Sequence, residues 1–176
     1  QETVMQHYKL KHCNIHCYTT EREIADTYLN KCLQLPTTNV MGRRKIAQFG
    51  SNYTYSGVLH KGQPIPEWMQ YLLQEVNKLV GIEFNSVLMN IYPKGVNTGI
   101  GFHRDDEPEL KSDVVASLSL GFEDVFIIKN NQEKLALVLE HGDLLVMGTG
   151  CQQNYVHGIT YKVMPETRIS LTFRKF

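Results

Sequence analysis

At 176 residues and ordinary composition, the chain is long enough to bury one core, and a single domain is the simplest reading. Eighteen basic residues balance eighteen acidic ones, so no global field draws the protein to nucleic acid or membrane, and any such contact must come from local patches. The longest apolar runs are too short to span a bilayer, QETVMQHYKL lacks the apolar stretch of a signal peptide, and the missing initiator Met suggests a piece of a longer chain.

In chain order, YKLKHCNIHCY is strand-like. TTEREIADTYLNKCLQL predicts a helix, with Thr20 and Glu23 forming a capping box. RRKIAQFG and YTYSGVLH predict strands around a Gly-Ser-Asn turn. IPEWMQYLLQEVNKLVG predicts a second helix, with Pro66 near its start, Gly81 at its end, and Trp68, Leu72, Val76 and Leu79 on one face. From residue 85 the texture changes. SVLMNIYP, DVVASLSLG, DVFIIKN, LALVLEHG, DLLVMG, NYVHGI and TRISLTFRKF are short strands separated by turn residues. The expected fold is α+β and mainly β: a β-sandwich or barrel braced by N-terminal helices. Cys13, Cys17, Cys32 and Cys151 show no spacing of a secreted scaffold and suggest free thiols in a reducing compartment, with the cytoplasm expected and the nucleus left open.

Chemistry is suggested first by the last strand. Residues two apart on a strand share a face, so Arg168, Ser170, Thr172 and Arg174 point one way while Ile169, Leu171 and Phe173 point the other. An edge strand with one wet face would account for this. Yet SVLMNIYP also places Asn90 and Tyr92 on one face, and two polar faces could line a single pocket. The second signal is GFHRDDEPEL. His103 and Asp105 would project together if the strand continues past Gly101. A facial triad needs two histidines and one carboxylate on one side of an iron, with open positions opposite. His157 in NYVHGI or His141 in LEHGD could complete it; the His-Gly-Asp context of His141 reads more like a turn. Asp106 and Glu107 beside this motif suit either a solvated turn or a cationic ligand. Arg43, Arg44 and Lys45 suit either a solvated strand start or phosphates. HCNIHC matches no common zinc spacing, YPKGVNTGIG lacks the ending of a phosphate loop, Trp68 reads as helix core, and His60 has no evident partner.

Taken together, NIYPKG, IGFHRDDE, SLSLG, LEHGDLLVM, YVHGI and RISLTFR resemble the AlkB-like iron(II)- and 2-oxoglutarate-dependent nucleic-acid dealkylases over roughly residues 42 to 176. The resemblance implies a double-stranded β-helix, or jelly roll. It implies one domain over 1–176, with an N-terminal extension and nucleotide-recognition lid in 1–84 and the catalytic core in 85–176. It places iron(II) on His103, Asp105 and His157, and 2-oxoglutarate on Asn90, Tyr92, Arg168 and Arg174. RRKIAQFGSNYTYSG resembles the lid, with Tyr55 placed to stack on a flipped base and Tyr53 sharing its strand parity. The implied reaction is oxidative demethylation of N-alkylated bases in RNA or single-stranded DNA: 2-oxoglutarate and O2 become succinate and CO2, and formaldehyde is released. Asp106 and Glu107 would then complement a cationic base, and Arg43 and Arg44 would contact the nucleic acid. A monomer without membrane contact is expected. The family includes domains of plant RNA virus replication polyproteins, which suits the missing Met and would place the protein in host cytoplasm. An iron(II)/2-oxoglutarate hydroxylase of a protein or small molecule is the alternative, and a non-catalytic β-barrel binding module is the third reading.

Overall fold

The computed structural model describes residues 4–37, 39–55 and 57–176. A hairpin of β1 (Val4–Lys9) and β2 (Asn14–Thr19) leads into helix α1 (Arg22–Leu33). Strands β3 (Asn39–Met41) and β4 (Arg44–Gly50) precede a second hairpin, β5 (Tyr53–Tyr55) and β6 (Val58–His60), and helix α2 (Glu67–Val80). Then follow β7 (Ser86–Tyr92), β8 (Asn97–His103), β9 (Val115–Gly121), β10 (Asp124–Lys129), β11 (Lys134–Leu139) and β12 (Asp143–Met147). A short helix α3 (Cys151–Asn154) separates these from β13 (Val156–Val163) and β14 (Arg168–Arg174).

Apart from the β5–β6 hairpin, the strands fall into two sheets: a larger one in the order β1-β2-β12-β9-β14-β7-β4-β3 and a smaller one in the order β11-β10-β13-β8. Chain crossings between two antiparallel sheets make this a jelly roll. The N-terminal strands widen its larger sheet. Alternation fixes which face each side chain takes. Ile169, Leu171 and Phe173 of β14, Val87 and Met89 of β7, and Leu118 and Leu120 of β9 pack in one core with Ala25 and Cys32 of α1 and Met69, Leu72, Leu73 and Val76 of α2. Each such Val, Leu, Ile, Met or Phe side chain contributes about 1.5–3 kcal/mol by leaving water. The opposite residues of the same strands face the smaller sheet. There Ile15, Val115, Leu145 and Met147 meet Phe126, Ile128, Leu139 and Ile159. β14 lies between β9 and β7, so it is a central strand and its polar face is not a wet edge.

Several local expectations are corrected. YKLKHCNIHCY is not one strand but the turn and flanks of the β1–β2 hairpin. Thr20 does not cap α1: the helix starts at Arg22 after Glu21 with no side-chain cap, because the Thr20 N–H donates to the Gly142 carbonyl at 3.0 Å. In α2 the buried stripe is Met69, Leu72, Leu73 and Val76; Leu79 is 41% exposed and Trp68 lies beside Tyr28 at the core's edge. Gly81 ends α2 with φ 81°, a left-handed conformation suited to glycine, and donates to Asn77 O at 2.8 Å. The expectation of four free thiols fails for two of them. β2 lies beside β12, which brings Cys13 to Cys151 as a disulfide, while Cys17 and Cys32 remain free and buried. Among the described residues, no helix is long and apolar enough to cross a membrane.

Candidate metal centre and its cavity

β8 continues past Gly101 and ends at His103, with Asp105 two residues beyond it. β13 pairs with β8 so that His157 stands opposite His103. One side-chain donor atom from each of His103, Asp105 and His157 lies within 4.8 Å of the others. The register shifts after His157, where a Cβ on Gly158 would sit 2.7 Å from Ile100 O. A side chain at residue 158 would therefore push the two histidine strands apart.

The ring orientations suit a metal. His103 Nδ1 is 2.8 Å from the Gly101 carbonyl, which can only accept, so Nδ1 carries the proton and Nε2 presents its lone pair. That Nε2 is 3.9 Å from Asp105 Oδ1. The His103 and His157 rings are 4.4 Å apart, and Phe126 flanks His157 at 5.7 Å. Burial lowers the His157 pKa to about 4 against the opposing pull of Asp105, keeping the imidazole neutral as a metal ligand must be. Burial pushes the Asp105 carboxyl up, but Arg174, His157 and His103 outweigh it and hold it below the usual carboxylate range. Arg174 Nη2 donates to both Asp105 oxygens at 3.3 Å. The donor set of two neutral imidazoles and one carboxylate fits iron(II) with positions left for other ligands.

The cavity around these residues is lined by Asn90, Tyr92, Arg168, Ser170, Thr172 and Arg174, the faces that strand parity brings together. Arg168 is 1% exposed. Its Nη2 donates to Ser119 Oγ at 2.9 Å and its guanidinium lies 4.9 Å from the centre of the Tyr92 ring. Nε and Nη1 have no hydrogen-bond partner among the described residues. A buried cationic fork with donors to spare fits a carboxylate. These residues therefore suit 2-oxoglutarate as well as the triad suits iron.

The remaining candidates scatter. Arg44 lines the same cavity and donates to Asn90 Oδ1 at 2.7 Å, whereas Arg43 and Lys45 are exposed. Asp106 is exposed and Glu107 half-buried. Tyr53 and Tyr55 form β5, but their side chains lie outside what the structure describes. The hairpin's other strand does reach the site: His60, paired with Tyr53, is buried and lines the cavity. His141 lies elsewhere, accepting from the Gly121 N–H at 2.9 Å and facing Asp26 at 2.8 Å. Sequence reasoning missed His60 in the cavity wall, Ser119 bonded to Arg168 and Gln152 bonded to the Asp105 backbone. His60 ends a strand-like run in the lid-like segment, which was a usable signal. Ser119 shares the parity of Ser117 in SLSLG. Gln152 gave no signal.

Residues 6–174 match the family model of the 2OG-Fe(II) oxygenase superfamily. Alpha-ketoglutarate-dependent dioxygenase alkB homolog 3 of Bos taurus is 33% identical over 138 residues, covering 69% of this chain and 47% of that protein. The DNA oxidative demethylase ALKBH2 of Arabidopsis thaliana is 30% identical over 139 residues, covering 60% of this chain and 42% of that protein. The RNA replication polyprotein of Citrus leaf blotch virus is 26% identical over 132 residues, covering 74% of this chain and 6% of that protein. The chain thus spans about half the length of the alkB homolog 3 protein it matches. The solved structure of OsALKBH1 has the same fold, with a TM-score of 0.69 at 17% identity over 97% of this chain and 100% of that one.

Proposed function

This chain belongs to the 2OG-Fe(II) oxygenase superfamily, with AlkB homologues among its relatives, and we propose that it removes methyl groups from N-alkylated bases in RNA or single-stranded DNA. The observation that carries the reading is the meeting of the His103, Asp105 and His157 donors with the spare donors of Arg168 in one cavity. When bound, iron(II) and 2-oxoglutarate supply the oxidising chemistry: O2 is consumed, the keto acid becomes succinate and CO2, and the N-methyl carbon leaves as formaldehyde.

The chain's own residues bind and orient. His103, Asp105 and His157 hold the metal, and Arg174 keeps Asp105 ionised. Arg168, steadied by Ser119 and Tyr92, takes the far carboxylate of the keto acid, with Asn90 and Tyr92 beside it. Leu145, Met147 and Phe126 wall the cavity with apolar surface and keep water from it. The β5–β6 hairpin stands at the cavity as the lid, with Tyr53 and Tyr55 as stacking candidates. A base must leave its stack to reach so enclosed a site, and a single strand makes that cheaper. Arg43, Asp106 and Glu107 are candidate contacts outside the cavity wall. Among the relatives, ALKBH2 is by name a DNA oxidative demethylase and the citrus virus protein an RNA replication polyprotein, which supports a nucleic-acid substrate.

The test is a paired assay with iron(II), 2-oxoglutarate and a single-stranded oligonucleotide bearing N1-methyladenine or N3-methylcytosine. Formaldehyde should appear only with the methylated strand, and succinate should rise with it above the slow substrate-independent rate. Succinate that rises with a protein or small molecule instead would move the chain to the hydroxylases. No succinate under any condition would make it a binding module.

A further inference from the structure

Asp105 lies beyond the end of β8, where no strand ladder holds its backbone. What holds it is α3, a helix of four residues between β12 and β13. Gln152 is 3% exposed, and its Oε1 accepts the Asp105 N–H at 2.9 Å. The next residue grips the same loop twice. The Gln153 carbonyl accepts from Arg104 Nη1 at 3.3 Å, and Gln153 Nε2 donates to Asp113 Oδ2 at 2.9 Å. Asp113 Oδ2 also accepts the Gly150 N–H at 3.1 Å. The other side of α3 is anchored to the loop before β2: Cys151 by its disulfide to Cys13, and Tyr155 by accepting the His12 N–H at 3.1 Å. The helix therefore links a firm point on the barrel to the segment that carries a metal ligand.

We propose that Gln152 is a positioning residue of the metal centre. It acts through Asp105 and touches neither metal nor substrate. Among the described residues, two hydrogen-bonding partners divide the work of placing that carboxylate. Arg174 uses a single nitrogen against both oxygens, which sets the electrostatics but leaves the carboxylate able to pivot about that nitrogen. Gln152 fixes the backbone from which the side chain springs. Without an acceptor, the buried Asp105 N–H must find water or another partner, and the loop has to shift to allow it. A shift there swings the carboxylate off the two histidines.

The inference rests on the metal-centre part of the proposed function, not on the identity of the substrate. Its test uses cobalt(II) as the probe, titrated into metal-free protein and read by its visible absorption, beside a thermal melt of each metal-free variant. Asp105→Ala reports on the metal reading: if it binds cobalt(II) as well as the native protein does, the metal reading fails, whatever Gln152 does. Gln152→Met has similar bulk and offers only a weak thioether acceptor in place of the amide oxygen. Gln152→Asn keeps the amide but draws it back by one methylene. Both should bind cobalt(II) roughly 10- to 100-fold more weakly, the range seen when outer partners of metal ligands are removed. Gln152→Glu keeps an acceptor at the same reach and should stay within a few fold of the native protein. A residue that merely supports the fold would not sort its variants by acceptor. Native affinity in the folded Met or Asn variant, or a Glu variant as weak as Met, overturns the proposal.

Discussion

Arg168→Lys tests the co-substrate end of the cavity most directly. The native guanidinium is buried, with Nη2 on Ser119 Oγ at 2.9 Å and Nε and Nη1 unpartnered among the described residues. A carboxylate arriving there can take two parallel charge-assisted bonds. Lysine preserves the charge but presents a point rather than a fork, so one of the two bonds is lost. Hydrogen bonds to charged groups contribute about 1.5–3 kcal/mol each. At about 1.4 kcal/mol per tenfold, that loss weakens 2-oxoglutarate by roughly 10- to 150-fold. The assay is the 2-oxoglutarate concentration giving half-maximal succinate formation, with N-oxalylglycine, which mimics the keto acid, as competitor. Both should weaken together in Arg168→Lys, while cobalt(II) binding to the metal-free protein stays unchanged. An unaltered 2-oxoglutarate requirement would show that the spare donors of Arg168 serve something other than the co-substrate.

His103→Ala and Asp105→Ala should each abolish turnover while far-UV circular dichroism stays native, whereas His141→Ala, remote from the cavity, should keep activity; an active His103→Ala or a dead, well-folded His141→Ala would reject the assignment. Tyr55→Ala should lose about 1–3 kcal/mol of oligonucleotide binding if its ring stacks on a base, with slow substrate-independent succinate formation retained. Joint loss of both activities with a lowered melting temperature would assign Tyr55 to packing. Burial pushes the Cys17 and Cys32 thiols up to about 12, so both stay protonated at pH 8. Iodoacetamide should leave them unmodified in the native protein and react once denaturant is added; fast native labelling of either would contradict the enclosed core described for β2 and α1.

Features with a period were legible in the sequence. Strand parity alone gathered Arg168, Ser170, Thr172 and Arg174, and separately Asn90 and Tyr92, and these line one cavity in the structure. The same alternation left open whether β14 was an edge strand. Only its pairing with both β7 and β9 excludes that, and pairing partners leave no local trace. His103 and Asp105 were legible as a spacing, and the turn-like His-Gly-Asp context of His141 already favoured His157, which the structure places opposite His103. The Gln152 contact spans 47 residues and the Cys13–Cys151 bridge 138, with neither end marked by composition or spacing. The false capping box has the complementary cause. Thr20 and Glu23 satisfy a local rule, yet a tertiary bond to Gly142 takes the Thr20 backbone first.

Arg168 and Arg174 share a strand, a parity and near-complete burial, yet they differ in charge compensation. Arg174 faces Asp105, and the pair is held by hydrogen bonds to both carboxylate oxygens. Arg168 faces a serine hydroxyl and the face of a tyrosine ring, neither of which carries a formal charge. None of the ion pairs among the described residues includes it. An uncompensated buried cation costs several kcal/mol, so a strand built only for stability would carry an apolar residue there. The cost makes sense where an anion enters and supplies the missing charge. Arg174 is already compensated and cannot offer as much to such an anion. The two ends of one strand are therefore unequal: Arg174 is paired with the carboxylate of the His103–Asp105–His157 cluster, and Arg168 keeps the spare donors that the proposed function assigns to the co-substrate carboxylate.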